Sequence, residues 1–162
     1  MAKNNNDFKI RFAEEDDSQL ILDFIKGLAV YEKMLDQVEA TEERIRESVF
    51  EKEQAEVIIA EENGEAVGFA LFFHNYSTFL GRANLYLEDL FVIPEARGKG
   101  YGKKLLKKLT EIALDRGCKR VDWSCLDWNK SSIEFYKSIG AKAMDEWTVY
   151  RLEGEPLKNL AE

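Results

Sequence analysis

The chain has 162 residues, enough for one domain with its own core, and 45% of them are hydrophobic, as is ordinary for a globular protein. A formal net charge of −8 argues against a general nucleic-acid binder, no apolar run is long enough to span a membrane, and the polar N-terminus does not read as a signal peptide. Two cysteines, Cys118 and Cys125, and a single histidine, His74, offer no disulfide framework, no metal-ligand spacing and no Ser-His-Asp system, so a reducing, cytoplasmic setting is expected.

Phe8 to Ala13 alternates and predicts a first strand. A helix follows, capped near Asp16 or Asp17, with an apolar stripe of Leu20, Ile21, Phe24, Ile25, Leu28, Tyr31 and Leu35. Thr41 before Glu42 and Glu43 marks a second helix start, with acids in its first turn. Glu56–Glu62 and Glu65–Phe73 are strands joined by Asn63-Gly64, a hairpin signal because both turn positions favour φ > 0. Leu85 to Ile93 is a further strand that stops at Pro94. A long helix with Leu105, Leu106, Leu109, Ile112 and Ala113 at helical spacing ends at Gly117. Lys119–Cys125 reads as a strand, Asn129 as the cap of a helix through Ile133, Tyr136 and Ile139 that ends at Gly140, and Trp147–Leu152 as a last strand. No repeat, low-complexity linker or second domain is visible, so residues 1–162 read as one domain. The order β-α-α-β-β-β-α-β-α-β implies an α/β fold, a single mixed sheet with helices on both faces.

Arg97-Gly98-Lys99-Gly100-Tyr101-Gly102 sits where the Leu85–Ile93 strand passes into the long helix. Glycines there let backbone N–H groups come close to a ligand, and a helix N-terminus adds positive potential. Arg97 to Lys108 holds six cations and no acid in an otherwise acidic chain, which suits a small phosphorylated ligand better than a polymer. The spacing is neither that of a Walker loop, since Gly102-Lys103 is followed by Lys104, nor that of a dinucleotide fingerprint. A left-handed turn with lysines that solvate a helix face is the plain alternative.

Leu85 to Ile93 carries adjacent carboxylates, Glu88 and Asp89. In a regular strand they point to opposite faces, and at least one enters apolar surroundings unless a bulge intervenes. Burial raises a carboxyl pKa, and a carboxylate held that way is a candidate general base; a strand-edge pair bonded to backbone or arginine is the alternative. Tyr136, on an apolar helix face, is a candidate acid or a core tyrosine. Asn129 is an N-cap whose amide could also reach a ligand. Glu32 lies at the edge of the first helix's stripe, and Cys125 is a conceivable nucleophile but more ordinarily a small apolar residue.

Tyr86-Leu87-Glu88-Asp89-Leu90-Phe91-Val92, Arg97-Gly98-x-Gly100-x-Gly102, Asp127-Trp128-Asn129, Phe135-Tyr136-Lys137 and Gly140-Ala141 together resemble the diamine and thialysine acetyltransferase branch of the GNAT superfamily, and Tyr31-Glu32-Lys33 and Asp36-Gln37-Val38 match its first-helix segment. The resemblance covers nearly the whole chain in the same order. It implies acetyl-CoA as cosubstrate, entering where two parallel strands splay apart. The backbone of Leu90, Phe91 and Val92 would bond the pantetheine. The loop of Arg97, Gly98, Lys99, Gly100, Tyr101, Gly102 and Lys103 would hold the pyrophosphate, and Asn129 and Ser132 would contact the coenzyme arm. Glu88 would accept the acceptor's proton, Tyr136 would protonate the departing thiolate, and Tyr31, Glu32, Glu88 and Glu146 would line the acceptor pocket. The implied activity is acetyl transfer to a primary amine of a small cationic acceptor by direct attack, in a homodimer. A protein lysine as acceptor, or a non-catalytic acetyl-CoA sensor, are the alternatives. Tyr76-Ser77-Thr78-Phe79-Leu80-Gly81 carries none of the acids of polyamine-preferring members and looks more like the thialysine-preferring type. The turn after Gly140-Ala141 is shorter than in the animal enzymes.

Overall fold

A computed structural model describes residues 7–162, in two compact units, one ending at Ser124 and one running from Cys125 to Glu162. The first contains a five-stranded sheet in the order β1-β2-β3-β4-β5, made of β1 (Phe8–Phe12), β2 (Glu56–Glu62), β3 (Glu65–Ser77), β4 (Arg82–Val92) and β5 (Val121–Trp123). The first three pairings are antiparallel and β4–β5 is parallel, so the expected mixed sheet is present. Asn63 and Gly64 have φ of 53° and 82°, the left-handed pair that a two-residue hairpin requires.

Helix α1 (Ser18–Tyr31) and helix α2 (Glu42–Ile45), which continues as a π turn over Arg46–Glu51, bury their apolar stripes on one face of the sheet. Ile21, Leu22, Phe24, Ile45 and Val49 pack there with Val57, Ile59, Phe69 and Phe91. Thr41 caps α2 by accepting the Arg44 N–H at 3.2 Å. Asp17 stands at the start of α1 but does not cap it: its carboxylate takes two bonds from Arg11, at 2.7 and 2.9 Å, and one from the Glu14 N–H, which closes a capping box on the 3-10 turn Glu15–Asp17.

Helix α3 (Tyr101–Asp115) lies against β2, β3, β4 and β5, with Leu105, Leu106, Leu109, Ile112 and Ala113 buried. Gly117, at φ 75°, closes it with a Schellman motif: the Gly117 and Cys118 N–H groups bond the carbonyls of Leu114 and Ala113. Buried Asn84 sets where β5 starts, because its side-chain oxygen accepts from the N–H groups of Lys119 and Arg120 at 2.9 and 3.1 Å.

The second unit holds α4 (Lys130–Ser138) and α5 (Glu155–Ala161). Two expectations are corrected here. The stripe of α1 does not reach Leu35, because the helix stops at Tyr31 and Leu35 opens a 3-10 turn, half-exposed. Trp147–Leu152 forms no strand, and Val149 and Tyr150 are 84% and 92% exposed. Alternating apolar residues make a strand only where a neighbour takes up their backbone hydrogen bonds, and among the described residues no sheet ladder includes this segment. Helix α5 had no counterpart in the sequence reading.

Candidate active site

The adjacent carboxylates of β4 are resolved by a β-bulge. In the β3–β4 ladder, Leu71 stands opposite Asp89 and Phe72 opposite Leu87, so Glu88 is the extra residue. Residues opposite each other in a ladder share a face, and neighbours along a strand do not. Asp89 therefore shares the face of Leu71, which packs into the α1–α2 core, while Leu87 shares the α3 face with Phe72. Without the bulge Leu87 and Asp89 would lie on one face. The extra residue turns Asp89 toward α1 and leaves Glu88 exposed.

The pattern of β4 requires one member of the Glu88-Asp89 pair to be buried, the resemblance gives the site role to Glu88, and the structure makes Asp89 the buried and most perturbed carboxyl there. Its pKa rises from an ordinary 3.8 to about 6, first through burial, then through the negative charges of Glu88 and Glu32. Burial also raises Glu32. Glu32 lies at the end of α1, which closes in an unusual way: Lys33, not glycine, takes the left-handed position at φ 62°, and the Lys33 and Met34 N–H groups bond the carbonyls of Val30 and Ala29. A non-glycine residue there is strained by about 1 kcal/mol. No glycine announces this end of the helix, so composition could not have located it.

Beyond the bulge, β4 runs on to Val92, but β5 pairs with it only over Leu85–Leu87. The β5 side of Leu90, Phe91 and Val92 thus lies past the last parallel pair. Two close approaches hold this end of β4. A Cβ on Gly68 would stand 2.7 Å from the Phe91 carbonyl oxygen, and one on Gly27 would stand 2.8 Å from the Phe91 ring, so both positions admit only glycine without rearrangement.

The loop follows at once. Gly98 and Gly100 have φ of 81° and 79°, and a Cβ built on either would meet nothing within 4 Å, so the backbone lies open there. The first intrahelical bond of α3 runs from the Lys104 N–H to the Gly100 carbonyl, which leaves the N–H groups of Tyr101, Gly102 and Lys103 without helical acceptors. These features match what an anion needs at a helix N-terminus. The side chains have local partners as well. Lys99 pairs with Glu62 at 2.8 Å and holds its carboxyl below the ordinary range, and Tyr101 is buried with its ring stacked on Phe8 at 4.3 Å. Only the backbone of Tyr101 faces the loop's task.

Thus the first unit brings together Tyr31, Glu32, Glu88, Leu90–Val92 and the Arg97–Lys103 loop. The second carries Asn129, Ser132, Tyr136 and Glu146. Asn129 caps α4, its side-chain oxygen accepting from the Ser132 N–H at 3.4 Å. Tyr136 is half-buried, its ring 5.7 Å from that of Phe135, and Gly140 and Ala141 close α4 four and five residues further on, with the Ala141 N–H on the Tyr136 carbonyl. Glu146 lies in an exposed turn. Cys125 follows the end of β5 rather than lying within it. A hollow of about 460 Å³, lined by Phe12, Val49, Phe50, Val57, Phe73 and His74 among others, sits where β1 ends and β2 begins and contains none of the predicted site residues.

A bulged strand that outruns its parallel neighbour and feeds a glycine loop at a helix N-terminus is the architecture of an acetyltransferase. The acetyltransferase (GNAT) family profile matches residues 23–141, and the chain belongs to that family. It is 43% identical over 164 residues to a thialysine N-epsilon-acetyltransferase of Bos taurus, with 94% of this chain and 96% of the relative covered. An integron cassette protein from the mobile metagenome of V. cholerae superposes with a TM-score of 0.80 at 34% identity, covering 96% of this chain and 98% of its own. An aminoglycoside N-acetyltransferase solved with CoA shares the fold, with a TM-score of 0.75 at 18% identity over 95% of this chain and all of its own. The protein is accordingly an acetyltransferase.

Proposed function

We propose that the chain acts as one domain and transfers the acetyl group of acetyl-CoA to the primary amine of a small cationic acceptor, of the thialysine, lysine or diamine kind. The observation that carries this reading is the trio of carboxylates, Glu32, Glu88 and Asp89, gathered between the end of α1 and the bulge of β4. Burial first, and then the charges of Glu88 and Glu32, raise Asp89 to about 6, and the three carboxylates together form a negative site complementary to an ammonium. The name of the Bos taurus relative supports thialysine-like acceptors.

Acetyl-CoA would supply an acetyl thioester as the electrophile. The chain fits that molecule at two places. The open backbone of Gly98 and Gly100 and the spare N–H groups of Tyr101 to Lys103 suit the pyrophosphate, with Lys99 and Lys103 adding charge. The end of β4 that β5 leaves unpaired suits the amide groups of the pantetheine, and Asn129 and Ser132 suit the coenzyme arm.

An aliphatic amine with a pKa of roughly 10 is protonated at neutral pH and must lose a proton before it attacks. Glu88 accepts that proton, directly or through water, and the charges of Glu32 and Asp89 hold the ammonium against it. Tyr31 and Glu32 wall the acceptor, with Glu146 as a further contact. A backbone N–H of Leu90–Val92 stabilises negative charge on the acetyl oxygen. The Tyr136 hydroxyl donates a proton to the departing sulfur. Holding both substrates in one complex supplies the entropic part of the rate, so no acyl-enzyme is required. The working form is a cytoplasmic homodimer; the exposed Trp147, Val149 and Tyr150 support a partner copy on that segment.

The test is thiol release from acetyl-CoA with thialysine, lysine, putrescine, spermidine and a histone-tail peptide. Preferential turnover of one small amine bears the proposal out. Turnover of the peptide alone shifts the acceptor to a protein lysine, and tight coenzyme binding without turnover of any amine refutes the catalytic reading.

A further inference from the structure

Arg97 opens the glycine loop, where a guanidinium would be expected to meet phosphate. It is instead engaged with the protein on both sides of the site. Its Nε donates to the Val92 carbonyl at 3.0 Å, and its guanidinium carbon lies 5.0 Å from the Tyr31 ring centroid and 5.5 Å from that of Phe91. Phe91 is itself fixed, buried edge-on against Phe24 and pressed to the α1 backbone at Gly27. One planar cation therefore joins the last residue of α1, the last residues of β4 and the first residue of the loop. A lysine at this position would keep the charge but lose the plane that stacks.

We propose that Arg97 is a positioning residue that couples the coenzyme side of the site to the acceptor side. Order imposed on the glycine loop reaches the end of α1 through the guanidinium. Tyr31 and Glu32 are therefore set for the acceptor once the coenzyme is bound. This inference rests on the reading of Tyr31 and Glu32 as acceptor-pocket residues. It differs from a role as a phosphate ligand, in which Arg97 would act on coenzyme affinity alone.

The experiment uses the full chain with Arg97→Gln, Arg97→Lys and Tyr31→Leu, singly and in pairs. The first readout is hydrogen exchange at the backbone amides of Glu32, Lys33 and Met34, which bond the carbonyls at the end of α1. Saturating CoA should slow their exchange in the unsubstituted protein and leave it unchanged in all three single variants. The second readout is kinetic. Arg97→Gln should raise the amine KM about tenfold with acetyl-CoA as donor, the effect of losing one such cation–π contact with its hydrogen bond, and much less with acetyl-pantetheine, which has no pyrophosphate to order the loop. Tyr31→Leu should do the same, and the double variant should do little more. Arg97→Lys should not restore the parent KM.

Equal CoA-induced protection in Arg97→Gln and in the unsubstituted protein would overturn the coupling. So would an Arg97→Gln variant that binds CoA at least tenfold more weakly while its amine KM with saturating acetyl-CoA stays normal, since that pattern belongs to a pyrophosphate ligand. If the exchange readout behaves as expected but no amine is turned over by the unsubstituted enzyme, the coupling stands and the acceptor reading falls.

Discussion

Replacing Asp89 by asparagine should make the protein more stable at neutral pH and less active. The folded state holds the Asp89 proton to about pH 6, whereas an ordinary aspartate releases it near 3.8. Between those values the folded chain binds more protons than the unfolded one, so stability falls as pH rises through this window and the full penalty stands above it. A gap of about two pH units corresponds to about 3 kcal/mol, and partial exposure brings the recoverable part to about 1–3 kcal/mol. Asparagine keeps the shape of the side chain and removes the charge that Glu88 and Glu32 oppose. Urea unfolding at pH 4.5 and pH 7.5 should show Asp89→Asn gaining more stability at the higher pH, where thermal unfolding should give a midpoint higher by about 3–8 °C. Turnover of a cationic amine should fall at the same time, because the field that attracts the ammonium is weakened. Equal stability of variant and parent at both pH values would mean that neither burial nor its neighbours strain the Asp89 charge, and the electrostatic argument for a cationic acceptor would fail with it.

Glu88→Gln should shift or flatten the limb of kcat/KM that rises with pH, and an unaltered profile would assign the proton to another group or to water. Tyr136→Phe should lower kcat by about 10²–10⁴-fold with CoA affinity nearly unchanged, as measured by steady-state kinetics and calorimetry; full turnover would remove the hydroxyl from its acid role. Gly27→Ala should destabilise the fold by about 1–3 kcal/mol in denaturant unfolding, since its Cβ would stand 2.8 Å from the Phe91 ring, and should raise KM for both substrates by displacing the end of β4. An unperturbed variant would show that Phe91 has room to move.

What the sequence by itself determined is whatever depends on neighbours along the chain. The stripe of α1 as far as Tyr31, the stripe of α3, the Thr41 and Asn129 caps, the left-handed Asn63-Gly64 turn and the glycine closures at Gly117 and Gly140 are local, and each is found in the structure. The glycine loop between a strand and a helix was legible for the same reason. Tertiary structure decided what depends on partners from elsewhere. Which carboxylate of the Glu88-Asp89 pair turns inward follows from a register shift against β3, and the composition of β4 alone cannot encode it. The destination of the Arg97 guanidinium depends on where α1 stops, and that end rests on a left-handed lysine that no glycine signals. Trp147–Leu152 has the alternation of a strand, yet among the described residues it forms none. Helix hydrogen bonds close within a segment and strand hydrogen bonds close between segments, so local pattern suffices for the first and only assembly settles the second.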